Sequence, residues 1–120
     1  MSRAEIVRNA QGEFYGIHID CPGCQVGGHV LPVDWCPPDL VPAPRAPGKP
    51  VWGFNGDLDL PTLSPSILSR FDWGPQRETR TCHSFVRDGR IEFLSDCTHA
   101  LAGQTVDLPE FVKPDRKSVV

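Results

Sequence analysis

The positions of the cysteines constrain this chain more than any other feature. Four of the five lie at Cys21, Cys24, Cys82 and Cys97, so a shared site requires distant segments to meet. Cys21-Pro22-Gly23-Cys24 has the two-residue spacing that lets both sulfurs point at one ion while backbone amides approach them. The first twenty residues, MSRAEIVRNAQGEFYGIHID, hold no apolar stretch of the kind an export signal needs, and no later window reaches the length of a membrane span. The expected location is therefore cytoplasmic. In that reducing compartment an odd number of cysteines is a poor disulfide framework, and metal binding or catalysis explains them better. A redox role for the CxxC pair needs a strand-to-helix context, and Gly27-Gly28 is a poor helix start.

The rest of the chain reads as short strands and turns. Glu13 to Asp20 alternates towards Cys21, and Val30 to Val33 forms a second apolar run, which together predict a hairpin with the cysteine knuckle at its tip. Residues 37–50, PPDLVPAPRAPGKP, contain six prolines and predict a rigid loop. In VWGFNGDLDLPTLSPSIL a strand and an Asn-Gly turn are expected, with the Pro-Thr-Leu-Ser-Pro-Ser stretch interrupting any regular element. Thr98 to Gly103 is expected to form one helical turn, followed by an extended TVDLPEF. No heptad, repeat or long amphipathic helix is visible. The expected fold is mainly β: a small, zinc-stabilised single domain of β-hairpins with little helix. Residues 1–12 read as a lead, 13–112 as the domain and 113–120 as a flexible tail. Net charge is −3 and the 12 basic residues are thinly spread, which excludes the electrostatic footprint of a nucleic-acid binder.

The clearest element is Thr81 to Asp96, TCHSFVRDGRIEFLSD, where two β-prone runs flank Asp88-Gly89, a pair suited to a two-residue type I′ turn. In that register Arg87 pairs with Arg90, Cys82 lies opposite Ser95, and Cys97 falls one diagonal step away on the same face. With Cys21 and Cys24 these sulfurs make a four-thiolate site that suits zinc. Four protein ligands would make the ion structural, since catalytic zinc keeps an open position. His99, two residues after Cys97, and His29, five after Cys24, are competing ligands, whereas Cys36 beside Trp35 reads as an ordinary thiol.

The opposite hairpin face carries His83, with Asp96 diagonally within reach, so a carboxylate could hold the imidazole as an acid/base catalyst requires. The alternative is a packed strand histidine. Ser64 and Ser66 in Leu63-Ser-Pro-Ser-Ile67 are the candidate nucleophiles, or simply turn residues. Neither a G-x-S-x-G elbow nor an H-E-x-x-H helix occurs.

CPGC, WGFNGD, PTLSPSI, CHSFVRDGRIEFL and DCTHALAGQTVDLP, in that order over roughly residues 14 to 111, resemble a family of small phage and bacterial proteins that includes the BubE-type proteins of ubiquitin-like conjugation operons. The resemblance implies a serine-type peptidase beside a cysteine-bound zinc, acting on a ubiquitin-like protein or its conjugates. Carried over, the family's central Pro-Ser falls on Pro65-Ser66 and its histidine on His83, making Ser66 the nucleophile and His83 the general base. This chain departs from BubE-type sequences in its sparser cysteine knuckle and in the DCTHALAG extension of the phage-type branch. A second expectation, from another class, is a non-catalytic zinc module that engages a host protein through an exposed loop such as 37–50.

Overall fold

The computed structural model describes residues 2–23, 28–45 and 47–111. Cys24, and the tail read as 113–120, lie outside the described residues. The strands in chain order are β1 (Glu5–Arg8), β2 (Phe14–Ile19), β3 (His29–Leu31), β4 (Gly53–Phe54), β5 (Leu63–Trp73), β6 (Glu78–Arg87), β7 (Arg90–Phe93) and β8 (Thr105–Asp107). They form two antiparallel sheets, β1-β2-β3 and β4-β5-β6-β7-β8. The mainly β expectation holds, and the described residues contain no helix. The segment from Thr98 to Gly103 corrects the expectation of a helical turn. It closes through two overlapping three-residue steps, Ala102 N–H to His99 O (3.2 Å) and Gln104 N–H to Leu101 O (2.9 Å), and Gly103 then leaves at φ 78°. A short turn ending on a left-handed glycine does not propagate into a helix.

The expected β2–β3 hairpin is present, pairing Ile17 with Leu31 and Ile19 with His29, so Cys21 emerges directly beyond the end of β2. Pairing of β1 with β2 adds a strand near the N-terminus that the sequence pattern did not announce. Between Pro37 and Pro50 the described residues form no strand; only an isolated bridge between Phe14 and Pro42 ties the segment to β2.

Asp88 and Gly89 have φ values of 50° and 77°, the two positive values a type I′ turn demands. Arg87 pairs with Arg90 and Ser84 with Phe93, as the hairpin register predicts. The ladder stops sooner than that register implied. β7 ends at Phe93, Leu94 N–H still reaches His83 O (2.9 Å), and Cys97 N–H then closes a turn on Leu94 O (3.2 Å). Ser95 is therefore outside the strand, and Cys97 arrives by a turn rather than by a diagonal step.

β5 corrects a second expectation. The Leu-Ser-Pro-Ser stretch opens the longest strand of the molecule instead of interrupting it. The pairing shows how the proline is accommodated: Leu63 faces Val86 and Ile67 faces Ser84, so four steps on β5 oppose two on β6. Proline has no N–H to give a ladder, and a bulge is where a strand tolerates it. The Ser64–Pro65 peptide within the bulge is cis.

On β6 the side chains alternate. Cys82, Ser84 and Val86 are buried, while Thr81, His83 and Phe85 face outward. Ile17 and Ile19 from the first sheet join Val86, Ile91 and Phe93 from the second in one buried apolar cluster, and Cys21, Cys82 and Cys97 lie in the same cluster. The bulge and His83 thus lie on the outer side of the five-stranded sheet, and the cysteines on its inner side.

Candidate functional site

The outer site starts from the bulge. Because Ser64, Pro65 and Ser66 have no partner in the β5–β6 ladder, Ser66 is not confined to the alternation of a regular strand. Its hydroxyl lies 3.1 Å from His83 Nε2. The other ring nitrogen, Nδ1, lies 3.1 Å from Asp96 Oδ2. An ionised carboxylate only accepts, so this contact puts the ring proton on Nδ1 and leaves the Nε2 lone pair to accept from Ser66 Oγ. Hydroxyl, imidazole and carboxylate therefore form a chain with one polarity. His83 is a quarter exposed and Asp96 half exposed, so the site is open to solvent on the sheet's outer side.

The backbone around the site is also held. Cys97 Sγ receives the His83 N–H at 3.1 Å and contacts the His83 carbonyl at 3.1 Å. Asp96 clamps the ring and its neighbour Cys97 clamps the peptide, so one turn positions the whole histidine. Trp52 Nε1–H donates to the Ser66 carbonyl at 3.3 Å. Trp52 is in turn anchored to the segment after β3 by Trp52 N–H to Pro32 O (2.9 Å) and Asp34 N–H to Trp52 O (2.7 Å). The sequence carried no signal for this contact, since an indole partner across a bulge follows from no spacing rule. Ser64, the other candidate nucleophile, is exposed and faces Gly53 in the β4–β5 pairing.

On the inner side, Cys21, His29 and Cys82 offer ligand atoms all within 4.8 Å of one another, and so do Cys82, Cys97 and His99. Cys82 is common to both groups. Cys21 Sγ and Cys82 Sγ are 3.7 Å apart, too far for a disulfide. Two thiolates at about 2.3 Å from a tetrahedral ion would be about 3.8 Å apart, so the spacing suits a shared metal. His29 Nε2 lies 3.9 Å from Cys82 Sγ. His99 packs edge-on against Phe93, and Nδ1 accepts the Leu101 N–H at 3.2 Å. This bond assigns the ring proton to Nε2, which is buried without a partner among the described residues. The Cys82 and Cys97 sulfurs lie near this ring, but none of the described ones accepts that N–H. Gly23 is required here, because a Cβ at that position would collide with the His99 ring. A cavity of about 350 Å³ bordered by Pro22, Cys82 and His99 opens over this cluster, and Ser66 does not line it. Cys36 stands apart, with its thiol on Leu40 O at 3.3 Å.

A hydroxyl bonded to an imidazole that is itself oriented by a carboxylate defines the serine-hydrolase class of site. The chain belongs to the BubE family, the bacterial ubiquitination-like system serine proteases, whose model matches residues 2–94. Ser66 and His83 lie inside the matched region, whereas Asp96, Cys97 and His99 lie beyond it. No curated protein and no solved structure matches the chain. Among the described residues, no helix is long and apolar enough to cross a membrane.

Proposed function

We propose that the protein is a serine-type peptidase in which Ser66 is the nucleophile, His83 the general base and acid, and Asp96 the group that orients His83. The observation that carries the reading is the continuous pair of contacts, Ser66 Oγ to His83 Nε2 and His83 Nδ1 to Asp96, each 3.1 Å. Ser66 Oγ attacks the scissile carbonyl as its proton passes to Nε2. The resulting tetrahedral intermediate collapses as Nε2 returns that proton to the leaving amine, leaving an acyl ester on Ser66. Water then attacks the ester by the same proton route in reverse order and restores the hydroxyl. The family's ubiquitination-like setting makes a peptide or isopeptide bond to a ubiquitin-like protein the proposed substrate.

The inner cluster is proposed to hold a structural zinc through Cys21, Cys24, Cys82 and Cys97. The 3.7 Å spacing of the Cys21 and Cys82 sulfurs supports this reading. Zinc bound there would supply cross-linking rather than a reacting water. With its Nδ1 occupied by Leu101, His99 would stand beside the ion and not ligate it.

The test is labelling with a fluorophosphonate followed by peptide mapping, on the wild type, Ser66→Ala and His83→Gln. Modification at Ser66 that is lost in the first variant and slowed strongly in the second supports the assignment. Labelling at another serine, or none in folded protein, removes it. Elemental analysis on the wild type, Cys82→Ser and His99→Ala tests the metal: one zinc per chain, lost with the cysteine and retained without the histidine, is the expected pattern.

A further inference from the structure

A groove of about 390 Å³ is bordered by Tyr15, Val30, Pro32, Arg45, Lys49 and Trp52. That volume falls within the range of built ligand sites, roughly 300–1,000 Å³. Its walls are mostly apolar, and Tyr15 and Val30 are 47% and 48% exposed, so the groove presents large apolar side chains to a ligand. Its charges are all of one sign. Arg45 and Lys49 border it, no acidic residue does, and neither cation has an ion-pair partner among the described residues. The Arg45 guanidinium is held in place by a 2.6 Å bond to Val33 O, so its charge is preset.

The groove is also joined to the chemistry. Trp52 forms part of its wall and donates its indole N–H to the Ser66 carbonyl. A chain lying in the groove therefore passes one side chain away from the nucleophile's own peptide.

We propose that this groove is a substrate subsite, taking an extended segment of the protein substrate that carries an apolar side chain next to a carboxylate. The apolar side chain packs on Val30, Tyr15 and Trp52, and the carboxylate meets Lys49 and Arg45. The proposal rests on Ser66 as nucleophile for its catalytic meaning, but not for its binding chemistry.

The experiment uses three blocked, fluorescein-labelled tetrapeptides, Leu-Phe-Glu-Glu, Leu-Phe-Lys-Lys and Ser-Ser-Glu-Glu, with binding read by anisotropy. The same peptides carried as coumarin amides report kcat/KM. The full-length wild type is expected to favour the first peptide over each of the others by at least about fivefold in affinity and in kcat/KM. Lys49→Glu should lower that preference over the lysine peptide by about fivefold, and Val30→Ser the preference over the serine peptide by a similar factor. Both substituted side chains are exposed, and both variants should keep the wild-type urea midpoint. Equal binding of all three peptides, or variants indistinguishable from wild type, overturns the proposal. Selective binding that responds to both substitutions, without turnover and without Ser66 labelling, upholds the groove and discards the nucleophile.

Discussion

Asp96 can only accept a hydrogen bond, and that one property decides which nitrogen of His83 faces Ser66. Asp96→Asn substitutes a group that can also donate, which allows the ring proton to move to Nε2 and blocks acceptance from the serine. The expected outcome is a fall in Ser66 labelling rate and in kcat by about 10²–10⁴-fold. Unfolding free energy should change by less than about 1 kcal/mol, because the pair is solvent-exposed. Labelling kinetics and a urea melt measure the two effects separately, and a loss of both together would indicate a structural role instead. Ser66, His83 and Asp96 were legible as candidates from Pro65-Ser66 and from the hairpin register. Their mutual distances were not, because Asp96 reaches the ring through the turn after β7, whose end the alternation did not reveal. Trp52 had no sequence signal, since its partner is a main-chain carbonyl freed by the bulge.

At the scale of elements, β6 serves both sites because its side chains alternate. His83 points outward, whereas Cys82 and Ser84 point into the core. Ser84 is fully buried and its hydroxyl has no partner among the described residues. Removing an unsatisfied buried hydroxyl relieves its desolvation cost, so Ser84→Ala is expected to stabilise the protein by about 1 kcal/mol in chemical denaturation. The β6–β7 turn offers the opposite case. At φ 77° Gly89 has the conformation an L side chain resists, and a Cβ there would meet Leu60 Cδ2 at 2.9 Å. Gly89→Ala should therefore destabilise by about 1–2 kcal/mol, measured the same way. The β6–β7 hairpin was readable because Asp-Gly has few other uses between β-prone runs. β5 was misread because Pro65 is a strand breaker in any regular ladder. Only the pairing with β6, with its extra residues, turns that proline into part of a strand.

At the scale of the whole molecule, the cysteine cluster joins the two sheets. Cys21 follows β2 of the three-stranded sheet and Cys82 belongs to β6 of the five-stranded one. A zinc there would tie both to the turn that carries Asp96 and Cys97. Structural zinc contributes on the order of 10 kcal/mol in small domains, comparable to the entire stability of a protein this size. Stripping the metal with a strong chelator is expected to lower Tm by more than about 10 °C and to slow Ser66 labelling in parallel. Calorimetry with and without chelator checks this, and an unchanged melting temperature would remove the metal from the structural account.

By itself the sequence determined the strand-and-turn character of the chain, the type I′ hairpin, the outward His83 against the inward Cys82, and the residue types available for chemistry. These follow from local rules: a period of two, a turn pair with positive φ, and the donor atoms of each side chain. The tertiary structure alone decided which donors meet. The bulge aims Ser66 at His83, the turn after β7 brings Asp96 to one side of that histidine and Cys97 to the other, and the docking of Trp52 reaches the Ser66 carbonyl. Each of these depends on where a ladder stops or slips, which is governed by packing between segments far apart in the chain and not by the residues flanking the break.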